Sequence, residues 1–192
     1  MNIISKAMIP LYIGRATPYY NNPYLGSEET EILVALIASV QPKIVFEFGV
    51  QLGRTARMLL GRIASIEHYI GIDVPFEHMP ALPVQKSEVP ATPGLYARDD
   101  QRFSLLICNG TQRLEPDMLE PCDAVFIDGD HSRAAVLHDS RLARALVRPG
   151  GIIVWHDYGN TATEVAEALD QLVLEDWPLL HVYRTWLAYC RC

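Results

Sequence analysis

Residues 44–53 read Ile-Val-Phe-Glu-Phe-Gly-Val-Gln-Leu-Gly, a short apolar run that breaks into a glycine turn. Four β-branched and aromatic residues with one acid among them fit a strand buried on both faces, the kind found in parallel sheets. Gly49 lets the backbone pass close to a ligand, and Gly53 permits a tight entry into whatever follows. Ala56, Leu59, Leu60 and Ile63 then fall on one helical face, and 68–73 (HYIGID) reads as the next strand. Strand, glycine turn, helix and strand make a β-α-β unit, which favours a parallel sheet.

Upstream, a Tyr/Asn/Pro-rich arm (1–27) carries Tyr19, Tyr20 and Tyr24. Tyrosines so placed could cover an aromatic or sugar ligand, but in a terminal arm they more often serve packing or homo-oligomer contacts. Ser27 is expected to cap a helix whose first turn holds Glu28 and Glu29, charges suited to the positive end of its dipole. Downstream, 74–102 contains five prolines and is expected to be a long irregular excursion that overhangs the site or lies disordered on the surface. Strand-like runs resume at 103–108, 124–127 and 152–155, with a helix after Ser132 and another over 161–174. Segments 179–183 and 186–190 pair as an antiparallel hairpin. The expectation is one α/β domain over 1–192, with a doubly wound, seven-stranded, mostly parallel sheet.

Composition removes several classes of function. The chain has 192 residues, a formal net charge of −7 and only three lysines, so it is poorly suited to neutralise phosphates, and nucleic acid is not an expected partner. No apolar run approaches the roughly 20 residues that span a membrane. Cys108, Cys122, Cys190 and Cys192 show no disulfide framework and fit a reducing cytoplasm.

In an open α/β sheet, ligands lie beyond the carboxyl ends of the strands, so residues just after each strand carry the chemistry. The turn from Glu47 to Gly53 begins with an acid and lacks the middle glycine of a dinucleotide fingerprint, which argues against a pyrophosphate and for a cationic ligand. Asp73, 24 residues after Gly49, can accept both hydroxyls of a ribose. Asn109, Gly110 and Thr111 follow the third of these strands, where an amide could read a base or simply make a turn. Asp128-Gly129-Asp130-His131 and His156-Asp157 follow the next two. Two carboxylates and two imidazoles at neighbouring strand ends are costly in a mere core, and His131 titrates near neutrality as a general base should. Asp130 and Ser132 could instead only cap a helix.

Together EFGVQLGRT, YIGIDV, DAVFIDGDHS and RPGGIIVWHDY resemble the class I S-adenosylmethionine-dependent methyltransferases, over roughly residues 28–192. The resemblance implies that residues 47–53 hold the methionine part, Asp73 the ribose and Asn109, Gly110 and Thr111 the adenine, with Asp128 also near the cofactor. It implies methyl transfer to an oxygen or nitrogen of a small acceptor, with His131, Asp128 and Asp157 as the catalytic group. Relatives similar to catechol O-methyltransferase hold a divalent metal at positions corresponding to Asp128, His156 and Asp157. The imidazole departs from an all-oxygen magnesium shell and better suits manganese, iron or zinc. A cofactor-binding module without chemistry and a nicotinamide oxidoreductase are the competing readings; the missing middle glycine counts against the latter.

Overall fold

The computed structural model describes residues 1–4 and 25–192. Within these residues the elements run β1 (Asn2–Ile4), α1 (Ser27–Ala38), β2 (Ile44–Phe48), α2 (Arg54–Arg62), β3 (His68–Asp73), β4 (Phe103–Ile107), β5 (Cys122–Ile127), α3 (Arg133–Leu146), β6 (Val147–Trp155), α4 (Val165–Leu174), β7 (Leu180–Val182) and β8 (Ala188–Arg191). The sheet order is β1-β7-β8-β6-β5-β2-β3-β4, parallel except where β8 runs against β6 and β7. The seven expected strands are present and mostly parallel, with the antiparallel pair at the carboxyl-terminal end.

An eighth strand was not anticipated. Residues Asn2–Ile4 pair in parallel with Leu180–Val182. Three residues are too few to show a period, so their state is set by the partner edge rather than by their own pattern. The arm's tyrosines lie outside the described residues.

Alternation along each strand sorts the core into two layers. Val45, Tyr69, Ala124, Phe126, Ile152 and Val154 face α1 and α2, while Phe46, Phe48, Ile70, Val125, Ile127, Ile153 and Trp155 face α3 and α4. Continuing the same alternation past the strand ends brings Glu47, Asp128 and His156 to one face. β4 departs from the buried pattern. As the edge strand it leaves Leu105, Leu106 and Ile107 at 37%, 37% and 43% exposure.

Two helix starts differ in detail from expectation. Ser27 is the first residue of α1, and Gly26 takes the cap position. Ser132 does precede α3, but its side chain makes no cap; the Arg133 amide instead donates to Glu164 Oε2 at 2.7 Å. α4 begins at Val165, four residues later than expected. The stretch 74–102 is irregular, with a 3-10 turn at Pro83–Glu88, and it packs over the carboxyl ends of the strands. Among the described residues no helix is long and apolar enough to cross a membrane.

Candidate active site

The strand order reverses between β2 and β5, whose neighbouring exits make the crevice where open α/β sheets bind ligands. Phe48 pairs with Ile127, so Gly49 lies directly beside Asp128. A Cβ at Gly49 would stand 2.2 Å from the Asp128 carbonyl oxygen, and the residue has φ +86°. Only glycine fits this crossing of two backbones. Gly53 also has a positive φ, 77°, and backs onto the Gly94 backbone, so it admits the loop rather than touching the cavity.

A cavity of about 1010 Å³ opens here, lined by Glu47, Gly49, Asp73, Gly110, Thr111, Asp128, His131, His156 and Asp157, among others. Of the expected site residues, Asn109 is exposed and lies off its wall, and Gly53 stands behind it. Glu47 is 1% exposed, and its one hydrogen bond among the described residues comes from the Tyr69 hydroxyl at 2.9 Å. Burial pushes its carboxyl well above the usual range, with the nearby charges of Asp128 and Asp73 adding to the effect. A buried acid on a cavity wall with no cationic partner among the described residues suits a positively charged ligand. Asp73 holds the turn together: Oδ2 accepts the Val50 and Gln51 amides at 3.0 and 2.6 Å, and Oδ1 the Val74 amide at 2.7 Å. With about four acceptor positions on a carboxylate, Oδ1 keeps one for a ligand hydroxyl.

A family profile described as a methyltransferase domain matches residues 46–158, more than half of the chain. The chain belongs to the methyltransferase-domain family. Solved structures agree in fold. A Podospora anserina methyltransferase bound to S-adenosylhomocysteine is 13% identical, with TM-score 0.62 over 86% of this chain and 78% of its own. A Bacillus cereus O-methyltransferase in complex with S-adenosylhomocysteine is 14% identical, with TM-score 0.56 over 97% and 86%. A TDP-rhamnose 3'-O-methyltransferase of calicheamicin biosynthesis is 18% identical, with TM-score 0.57 over 87% and 81%. No curated protein matches the sequence.

The methyltransferase gathers its ionisable groups beyond β5 and β6. His131 Nε2 lies 3.5 Å from Asp128 Oδ1 and 3.1 Å from Asp157 Oδ2, while His156 Nδ1 lies 3.4 and 3.2 Å from the same two oxygens. Asp157 Oδ1 accepts the Asn160 amide at 2.8 Å. The Asp157 backbone has φ 63°, a left-handed conformation that aspartate tolerates and that swings its carboxylate inward. Burial opposes charge on His156, but Asp128, Asp157 and Glu29 outweigh it and push the imidazole up to about 12. Against the same burial penalty, His156 and His131 hold Asp128 down to about 2.

Sequence reasoning missed four residues of this wall. Gln85, in the loop over the site, donates from Nε2 to Gly129 O (3.1 Å) and to His131 Nδ1 (2.9 Å), and its Oε1 accepts the His131 amide (3.1 Å). The two backbone partners fix which way this amide points, so Nδ1 is an acceptor and the ring hydrogen sits on Nε2, facing Asp157. His131 is raised by Asp128, Asp157 and Glu88 against burial, yet a second proton on Nδ1 would face the amide donor. Glu29, read from sequence as a helix-dipole charge, accepts the Trp186 amide at 2.6 Å and stands 3.8 Å from His156 Nε2. Trp186 lies 5.9 Å from the His156 ring. Asp139, on the inner side of α3, is the fourth. Each depends on contacts across 28 or more residues, and no local pattern announces them.

Asp128, His131 and Asp157 each place one ligand atom within 4.8 Å of the others, so a divalent cation has donors to meet. Of the two imidazoles, His156 fits ligation better. Its far nitrogen stands 3.8 Å from the Glu29 carboxylate without a hydrogen bond, free of any competing donor among the described residues, whereas that of His131 meets an amide donor.

Proposed function

We propose that this methyltransferase moves a methyl group from S-adenosylmethionine to a hydroxyl oxygen of a small-molecule acceptor. The observation that carries the reading is the convergence of Asp128, His131, His156 and Asp157 on a wall continuous with the glycine turn, because cofactor binding alone does not need such a cluster. Glu47 and the Gly49 crossing suit the cationic methionine end, and Asp73 the ribose. Relatives named O-methyltransferases, one of them for TDP-rhamnose, support oxygen as the acceptor atom.

When bound, S-adenosylmethionine supplies an electrophilic sulfonium methyl. On methyl transfer, which would leave S-adenosylhomocysteine, the acceptor hydroxyl would become strongly acidic and need a base beside it. A carboxylate is base enough at that point, so Asp157 takes the proton. His156 Nδ1 and the Asn160 side chain hold the Asp157 carboxylate in place. His131 Nε2 stands 3.1 Å from it without a hydrogen bond, a change from the base role its position in the sequence suggested, and Asp128 aligns the hydroxyl. Alignment supplies most of the acceleration, and proton removal on the order of 10²- to 10⁴-fold. A cation held by Asp128, His156 and Asp157 would add Lewis acidity at the same oxygen.

We extend the proposal to a single-domain cytoplasmic enzyme acting apart from nucleic acid and membranes, alone or as a homo-oligomer; all four cysteines are free, and the net charge is −7. Thermal shift with S-adenosylhomocysteine and with NAD, followed by a radiolabelled methyl screen on hydroxylated small molecules, tests it. Stabilisation by the first ligand only and turnover lost in Asp157→Asn are expected. Stabilisation by NAD alone, or full turnover in that variant, refutes the reading.

A further inference from the structure

We infer that Asp139 reads the adenine of the cofactor, its carboxyl group offering one acceptor and one donor to the base edge. The inference rests on the cofactor assignment above and adds the residue that recognises the base.

Asn109 cannot fill this role from an exposed position off the cavity wall. At the same end of the cavity, Gly110 and Thr111 face Asp139, which projects from the second turn of α3 and is 1% exposed. The Thr111 hydroxyl donates to Asp139 Oδ1, and His138 Nε2 is 2.9 Å from the Thr111 carbonyl oxygen, so α3 clamps the turn after β4 from both sides. Asp139 Oδ2 has no hydrogen-bond partner among the described residues. Asp139 lines the cavity, and a carboxyl oxygen that borders a cavity without a partner is a position for a ligand group.

The titratable groups around it are Asp130 after β5, Cys108 after β4 and His138 on α3 itself, and none of them is a cation paired with the carboxyl group. Burial, with Asp130 adding repulsion, pushes Asp139 up to about 7. In its neutral form Oδ1 keeps a second lone pair for the adenine N6 amino hydrogen, while the Oδ2 hydroxyl donates to N1. Asn and Gln make the same kind of two-point match to adenine. β2, β3 and β4 lie side by side, so the Gly49 turn, Asp73 and this pocket follow one another along the strand ends in the order methionine, ribose and base.

Calorimetric titration of the full chain with S-adenosylhomocysteine and with its 6-deamino analogue tests the inference. Wild type should prefer the amino form about tenfold, the worth of one hydrogen bond to the base. Asp139→Ala should bind S-adenosylhomocysteine at least tenfold more weakly and lose the preference. Asp139→Asn, which keeps both an acceptor and a donor, should hold its affinity for S-adenosylhomocysteine at pH 8.5, where that of wild type declines as the donor to N1 is lost. Gln112 lines the same cavity beside Thr111; an unchanged preference in Asp139→Ala, or its loss in Gln112→Ala instead, overturns the role of Asp139. Failure of wild type to bind S-adenosylhomocysteine overturns the cofactor reading as well, and so is told apart.

Discussion

Gly49 and Gly150 share the same backbone angle, φ +86°, but not the same surroundings, and their alanine variants separate two kinds of cost. At Gly150 nothing lies within 4 Å of an added Cβ. Only the left-handed strain acts there, about 1–2 kcal/mol, offset by about 0.4–1 kcal/mol from the stiffer unfolded chain. The net loss should be near 1 kcal/mol. At Gly49 the Cβ would meet the Asp128 oxygen at 2.2 Å and the Gly129 Cα at 2.5 Å. Both are backbone atoms between two paired strands, so neither can rotate aside, and overpacking adds about 1–3 kcal/mol or more. Gly49→Ala should therefore lose about 3 kcal/mol, a large part of the roughly 5–15 kcal/mol that holds a domain. The displaced carbonyl would also shift Asp128 and weaken S-adenosylhomocysteine binding. Urea unfolding of the two variants side by side measures the difference, provided their m-values match. Equal midpoint shifts would refute the close-crossing argument.

Tyr69→Phe removes the one hydrogen bond to buried Glu47 and should lower stability by about 1–3 kcal/mol, read by urea unfolding; a shift under about 0.5 kcal/mol would mean that Glu47 has another partner. Asp139 gives a pH signature. Its folded value, about 7, lies above the ordinary 3.8, so the folded protein keeps a proton that the unfolded chain releases, and stability falls as pH rises between about 4 and 7. The penalty is up to about 4 kcal/mol, and Asp139→Asn should remove it, with a gain at pH 8 and little change at pH 4; a gain equal at both pH values contradicts the assignment. Glu29→Ala frees the Trp186 amide and should speed its hydrogen exchange at least tenfold, whereas unchanged protection would show that the hairpin holds itself.

Much of the site could be read locally because the fold puts it just after strands. Glu47 and Asp73 lie in the last two positions of their strands, Gly49, Asp128, His131, His156 and Asp157 at positions just after strands, and all line the cavity. Asn109 sits at one too and does not, since a strand's end fixes where the backbone goes but not which way a turn residue points. The buried strands were legible because their β-branched runs leave little choice of state. β1 was not, because a three-residue strand has no pattern of its own and exists through its pairing with β7.

The sequence by itself determined the alternation of strand and helix, the glycine turn and the acids and imidazoles at the strand ends, all of which are short-range properties of the chain. Only the tertiary structure decided how those groups act. The Gln85 amide, brought 46 residues along the chain to His131, sets which ring nitrogen carries the hydrogen. Glu29 reaches Trp186 across 157 residues, and Asp139 meets Thr111 across 28. Protonation and hydrogen-bond direction depend on burial and on neighbours in space, and those are fixed only when the sheet closes its order and the loop packs over its ends.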